Sequence, residues 1–508
     1  GKLAFMRAMI LEKLGAIEAG GQPLRAVNLP DPRPGPGEVL IRVQTCGVCH
    51  TELDEIEGRT APPKLPVVLG HQVVGRIAAL GPGVTSWQTG QRVGVGWIAS
   101  SCGTCAPCKA EQDNLCPDFL ATGRDINGGY AELLRLAKEL DGFTGDGPLL
   151  LGPAELETAR LAIPKEDLAV LERTAARIGT FAEAQLGSLS GLDVAIDGGS
   201  AGHRVDAVDR AGCYAPGGRY PLPSSVLMTA VTARVAGVKS VWVASPRPSP
   251  VTLAAATVAG ADGVLAVGGA QAIAALAFGV GGVEPCDVVV GPGNRWVTAA
   301  KQVLAGRVGI DMLAGPSELV VLADDSADAA VVAADLLAQA EHDPDALPVL
   351  VTVSEALAEA VADELAAQLE DLPTRPVAEA ALANGFCVVA GDLDEAIALC
   401  ERLAPEHLQV MTASADAVAD RLRGWGGLFI GSMSAEVLGD YGAGPNHTLP
   451  TGGVARFQGG LSVLDFVRVH TWLRLDDADG ARQTVEDSIR LARMEGLEAH
   501  ARAAEKRL

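Results

Sequence analysis

A chain of 508 residues is long enough for about three domains, and 48% hydrophobic content supplies a large core and excludes a disordered chain. Aromatics are only 4%, so that core must be built from Ala, Val and Leu; Gly at 60 and Pro at 30, without a collagen period, suit the tight connections of α/β proteins. A net charge of −23 with no local basic patch argues against nucleic acid and anionic membranes as partners.

The first twenty residues are interrupted by Arg7, Glu12 and Lys13, unlike a signal peptide, and no run of about 18 apolar residues suggests a membrane span. A cytoplasmic chain is expected, whose ten Cys read as metal ligands or buried thiols before disulfides. Residues 1–140 carry 14 Lys/Arg, 14 Asp/Glu and six of the ten Cys, so the remaining 368 residues carry the whole of the −23. This joint shift predicts a boundary near Leu140, with no Gly/Ser or Pro linker.

The first piece reads as β, because Glu38–Val43 and Val67–Ile77 are short, β-branched and bounded by Pro or Gly. Gly94-x-Gly96-x-x-Ala99 fits a dinucleotide pattern by chance, since it runs into a Cys-rich lobe rather than a helix. In that lobe, Cys102-x2-Cys105-x2-Cys108-x7-Cys116 sets four thiolates on short loops able to close tetrahedrally on one Zn²⁺; a cluster of free thiols is the alternative.

Cys46-Gly-Val-Cys49-His50-Thr51-Glu52, then Gly70-His71-Gln72, resembles the catalytic zinc site of medium-chain zinc alcohol dehydrogenases. The Cys lobe resembles their structural zinc lobe, and residues 6–133, ending at Gly128-Gly129-Tyr130-Ala131-Glu132, their GroES-like domain. The resemblance implies Cys49 and His71 as ligands of an incomplete zinc site and Thr51 as a proton relay. The family's acidic residue after the ligand His is Gln72 here, and its dinucleotide domain, with the third ligand, does not follow. Without a nicotinamide site this piece cannot transfer hydride by itself, so a structural or docking module is expected.

Beyond residue 150, apolar runs at Ser240–Ala244, Gly263–Val267, Asp287–Val290, Leu319–Leu322 and Val349–Val353 alternate with Ala-rich helical stretches. That alternation predicts a largely parallel sheet with helices on its faces. Gln339 and His342 are i and i+3 at the end of a helix and can converge on one ion, although such pairs are also common on solvated faces. Ala404-Pro405-Glu406-His407 places an acid and an imidazole at an expected helix start; a capping Glu and a core His would look the same. Gly439-Asp440-Tyr441-Gly442-Ala443-Gly444-Pro445-Asn446-His447 reads as a site-bearing loop. Glu495 and His500 are about 140° apart on a continuous helix, so they share a face only if the helix bends at Gly496.

Those four segments, with Tyr214-Ala215-Pro216-Gly217-Gly218, Gly268-Gly269-Ala270-Gln271, Gly291-Pro292-Gly293-Asn294 and Ala314-Gly315-Pro316-Ser317-Glu318, resemble the histidinol dehydrogenase family from about Leu134 to Leu508. The fold implied is α/β: a GroES-like β domain (1–140), then two Rossmann-like parallel-sheet domains and a helical C-terminal tail. The zinc/catalytic domain would span 141–213 and 317–460, the NAD domain 214–316, and the tail 461–508.

The resemblance further implies one Zn²⁺ held by Gln339, His342, Asp440 and His500, with Glu406 and His407 doing the proton work. Ser317, His447 and Glu495 would bind the substrate beside the zinc ligands and His407, while Tyr214, Gln271 and Asn294 would meet NAD. The activity implied is zinc-dependent four-electron oxidation of L-histidinol to L-histidine through histidinaldehyde by two NAD, in a homodimer whose tail brings Glu495 and His500 to the neighbour. The family's opening helical segment is not matched, and Arg219-Tyr220-Pro221-Leu222-Pro223 departs from the family pattern. Three alternatives stand: a relative oxidising another small alcohol, a zinc alcohol dehydrogenase centred on Cys49 and His71, and a non-enzymatic zinc scaffold.

Overall fold

Alternation of Val and Ile with polar residues in the first piece gives antiparallel strands, and near-continuous apolar runs in the second give parallel ones. The structure, a computed structural model, describes residues 5–17, 21–85, 87–102, 104–105, 108, 116–137, 149–217, 221–280 and 282–508. The expected join at Leu140, and Gly218, Arg219 and Tyr220 of the quoted motifs, lie outside these residues. The chain divides into two units, 1–147 and 148–508.

In the first unit, Glu38–Gly47 lies between Gln72–Leu80 and Leu133–Ala137 in a four-stranded antiparallel sheet completed by Arg92–Val95. Val39, Ile41, Val73, Val95 and Leu134 form its core. The strand expected over Val67–Ile77 is two strands, Val67–Val68 and Gln72–Leu80. Gly70 separates them at φ 95, where a Cβ would lie 2.6 Å from the Tyr130 ring and 2.8 Å from Cys46 Sγ, so glycine is required. The break turns His71 out of the ladder.

The second unit has two parallel sheets. One is six-stranded, in the order Leu150–Leu151, Gly263–Leu265, Ser240–Ala244, Arg210–Tyr214, Val288–Val290, Gly309–Ile310, parallel except for its first edge strand. Strand order reverses between Arg210–Tyr214 and Val288–Val290, which leaves a crevice at their carboxyl ends. Small residues close-pack here, with Ala233, Ala254, Ala255 and Ala256 wholly buried, as the low aromatic content requires.

The other sheet is five-stranded and all parallel, in the order Phe386–Val389, Leu347–Thr352, Glu318–Ala323, His407–Met411, Gly427–Ile430. Val320, Leu322, Leu408 and Val410 bury one face and Leu319, Val321, Leu350 and Met411 the other. The expected helix start at Ala404–His407 is instead a helix end and a strand start. Leu393–Leu403 is the helix, Ala404 terminates it at φ 42, and Pro405 cannot continue it, so His407 opens a strand.

The tail expected to be helical opens with a strand, Val467–Leu475, paired to Gly199–Ala207 in a three-stranded antiparallel sheet with Leu192–Ile196. Helices Ala478–Met494 and Glu498–Glu505 follow, separated by Gly496 at φ 77.

Candidate active site and metal centres

In the first unit the sulfurs of Cys102, Cys105, Cys108 and Cys116 all lie within 4.8 Å of one another. Cys102–Cys108 is 3.9 Å and Cys105–Cys108 3.3 Å. Tetrahedral Zn–S bonds of about 2.3 Å would put sulfurs about 3.8 Å apart, so the cluster fits one ion. Hydrogen bonds from Thr104 and Cys105 bring the Cys102 thiol down to about 6, which favours the thiolate a metal needs.

The break at Gly70 delivers His71 Nε2 to within 3.5 Å of Cys49 Sγ. Cys49 caps the helix His50–Glu57, and Glu52 in its first turn takes His71 Nδ1 at 2.9 Å and the Cys49 amide at 2.8 Å. Burial opposes charge on His71, but its contacts with Cys49 and Glu52 hold it up at about 9. Glu55 is wholly buried with neither oxygen partnered, and burial and Glu52 push it up to about 7.

In the second unit the donors gather at the amino edge of the five-stranded sheet, opposite to the edge where parallel sheets usually hold ligands. Glu318 and His407 open adjacent strands there. The helix Ala329–Ala340 runs back from the first strand, so Gln339 in its last turn and His342 beyond it reach the same edge. The short helix Glu436–Asp440 packs on that helix. His342 Nε2 is 3.4 Å from Asp440 Oδ2, and His342, Glu436 and Asp440 offer donors within 4.8 Å of one another. His407 Nε2 lies 4.0 Å from Glu436 Oε1 and 3.9 Å from Asp440 Oδ1. His447 Nδ1 bonds the Asp440 carbonyl at 3.0 Å, and its Nε2 faces Ser225 Oγ at 3.4 Å.

Buried polar atoms without a partner mark what this cluster is built for: Nε2 and Oε1 of Gln339, both oxygens of Glu436, and Nε2 of His407. Each such atom costs roughly 1–3 kcal/mol when left unsatisfied. The Gln339 amide oxygen, the His342 imidazole and the carboxylates of Glu436 and Asp440 make a mixed nitrogen and oxygen donor set that fits a divalent ion such as zinc, with His407 Nε2 left beside it.

The proton-handling groups are tightly constrained. His407 Nδ1 bonds the Glu318 carbonyl at 2.9 Å; a carbonyl only accepts, so Nδ1 carries the proton and Nε2 is free. Burial brings His407 down to about 4, so the ring is neutral. Glu406 Oε2 accepts the Glu318 amide at 2.9 Å, and Glu318 returns the bond, accepting the Glu406 amide at 3.3 Å and that of Gly452 at 2.9 Å. Burial pushes Glu406 well above the usual carboxylate range and also raises Glu318. Burial, with Asp440 and Asp335, raises Glu436 to about 9.

The cofactor candidates stand at or just beyond the carboxyl ends of strands of the six-stranded sheet. Tyr214 ends its strand, buried, and its hydroxyl accepts the Gly269 amide at 3.1 Å. Gln271 stands exposed in the first turn of Gly269–Phe278. Asn294 caps Arg295–Leu304, its Oδ1 accepting the amides of Trp296 and Val297 at 3.1 and 3.2 Å.

The histidinol dehydrogenase profile matches residues 125–508. The chain belongs to the histidinol dehydrogenase family. Curated family members similar to it include one from Thermus thermophilus, 47% identical over 381 residues (75% of this chain, 91% of that one). Another, from Parasynechococcus marenigrum, is 46% identical over 389 residues, with 75% and 88% covered. The crystal structure of histidinol dehydrogenase from Elizabethkingia anophelis aligns with a TM-score of 0.68 at 33% identity, covering 71% of this chain and 84% of that one. The alcohol dehydrogenase GroES-like domain profile matches residues 35–140.

Of the residues that the family resemblance singles out, His342, Asp440, His407 and His447 meet in one cluster, and Glu406 adjoins His407, its Oε2 3.6 Å from Nδ1. Buried Gln339 lies one helical turn before His342. Ser317 precedes Glu318 and is half-buried. Glu495 and His500 are exposed, make no side-chain hydrogen bond or ion pair among the described residues, and are not grouped with His342. Glu436 and Ser225 were not anticipated. The i, i+4 spacing of Glu436 and Asp440 could have shown the first; the second meets His447 only through the fold.

Proposed function

We propose that residues 148–508 oxidise L-histidinol to L-histidine through histidinaldehyde, with transfer of two hydrides to two NAD. The observation that carries this is the set of unpartnered buried donors on Gln339, Glu436 and His407, centred on His342 and Asp440, in a chain of this family. Zinc, held by Gln339, His342, Asp440 and His500, would supply a fixed positive charge that orients the substrate's imidazole and amine. NAD, met by Tyr214, Gln271 and Asn294, would supply the hydride acceptor.

The chain's own residues handle protons and position. His407 presents a neutral Nε2 that takes the alcohol proton as the C–H hydride leaves, giving the aldehyde. Glu406, made more basic by burial, takes a proton from the water that adds to the aldehyde carbon. The hydrate then gives up its second hydride and a proton, leaving the carboxylate. Ser317, His447 and Glu495 would hold the substrate in the reactive pose.

In this reading the active form is a homodimer in which Glu495 and His500 of one copy complete the site of the other. Exposed apolar side chains on the tail, among them Leu473, Leu491 and Met494, favour such a covering. The first unit would be a zinc-bound module, and ten free cysteines suit a cytoplasmic setting. NADH formed per histidinol consumed tests the activity: two are expected, and none after removal of metal by chelator. One NADH per histidinol, or an unchanged yield without metal, would reject it.

A further inference from the structure

The Gly291 turn is gripped by a buried ion pair that takes no part in the proposed chemistry. Lys301 and Asp311 are 3% and 4% exposed. Lys301 Nζ lies 2.5 Å from Asp311 Oδ1 and donates to the Gly291 carbonyl at 2.5 Å. Asp311 Oδ2 accepts the Gly291 amide at 2.7 Å. Both backbone polar groups of one glycine are thus bonded to the two halves of one ion pair. Gly291 sits at φ 112, and a Cβ there would lie 2.0 Å from the Tyr214 carbonyl oxygen.

Three elements meet at this grip. Gly291 follows the strand Val288–Val290, Lys301 belongs to the helix that Asn294 caps, and Asp311 follows the next strand, Gly309–Ile310. A buried ion pair is a poor way to gain stability, because desolvation offsets most of the attraction. What it does well is exclude other conformations of the groups it binds. The residues that the cofactor reading uses, Tyr214 and Asn294, flank the same glycine.

We propose that Lys301 and Asp311 are positioning residues for the dinucleotide: they hold the Gly291–Asn294 turn at the switch point in the one conformation that admits it. The inference rests on the cofactor reading above. It predicts that breaking the grip weakens the cofactor and spares the rest of the site. In Asp311→Asn the side-chain N–H₂ must face either the Lys301 ammonium or the Gly291 amide donor to donor, so one of the two bonds to this side chain is lost and the turn is gripped from one side only. In Lys301→Met/Asp311→Asn both charges go and no uncompensated charge stays buried.

The test is NADH affinity by calorimetric titration on the full chain loaded with zinc, alongside KM for NAD, KM for histidinol, kcat and the melting temperature. Both variants should bind NADH about 10- to 100-fold more weakly. KM for NAD should rise in parallel, while KM for histidinol and kcat at saturating NAD stay within about threefold. NADH affinity within about twofold of the parent in either variant would overturn the proposal. So would equal losses for NAD and histidinol, or melting of both variants with no effect specific to NADH, because the pair would then serve stability alone. Asn294→Ala separates the premises: if it leaves NADH binding intact, the cofactor reading fails; if it weakens binding and Asp311→Asn does not, only the grip fails.

Discussion

The imidazole of His407 donates its Nδ1 hydrogen to the backbone carbonyl of Glu318, 2.9 Å away on the adjacent, central strand of the five-stranded sheet. A main-chain acceptor cannot ionise, so the tautomer is fixed by the fold at any working pH. That leaves Nε2 as the only basic atom of the ring, pointed at the Asp440 and Glu436 side.

Replacing this base should stop the chemistry and leave binding largely alone. His407→Asn is expected to lower kcat for histidinol about 10²- to 10⁴-fold, with KM for histidinol changed only a few-fold and zinc content unchanged. Steady-state kinetics with metal analysis decide it. Activity within tenfold of the parent would remove His407 from the proton pathway.

Glu406→Gln separates the two half-reactions. The amide oxygen of Gln can still accept the Glu318 amide, as Oε2 does at 2.9 Å, so the strand edge keeps its geometry while the basic oxygen is lost. Conversion of histidinaldehyde to histidine should therefore fall much further than reduction of the aldehyde to histidinol. Equal losses in the two assays would assign Glu406 to orientation only.

Much of this arrangement was legible in the chain, for physical reasons. The strand Ser240–Ala244 stands where its apolar run predicted, because a strand buried on both faces must be apolar throughout. The apolar run before Gln339 announced the helix Ala329–Ala340, which carries Gln339 in its last turn and ends just before His342. The strand start at His407 was not legible, because Pro405 suits both the first turn of a helix and the stop after one. What decides is Ala404 in the left-handed region, which no residue type announces. Glu436 stayed hidden among many acidic residues: its i, i+4 spacing to Asp440 is a signal that solvated pairs share, and its burial came only with the fold.

The metal centres should be separable by mutation. His342→Ala is expected to lose about one equivalent of zinc and essentially all histidinol oxidation. Cys102→Ser removes one of four thiolates of the other cluster. It should lose a different equivalent and destabilise residues 1–147, with kcat for histidinol within about twofold of the parent. Metal analysis, kinetics and limited proteolysis read the three effects. Loss of histidinol oxidation in a folded Cys102→Ser would show the Cys cluster to be part of the activity.

Asp465 carries a stability effect with a definite sign. It lies half-buried after the turn at Ser462, whose amide it accepts at 2.8 Å, and burial holds its carboxyl up at about 6. In the unfolded chain the value is about 3.9. Between those values the folded protein binds more protons than the unfolded one, so this group's contribution is full below about pH 4 and is lost as pH rises to about 6. The loss is on the order of 1–3 kcal/mol. Asp465→Asn does not ionise, so relative to the parent its melting temperature should improve between pH 4.5 and 7. A difference between the two proteins that stays constant over that range would show that the carboxyl titrates alike in both states.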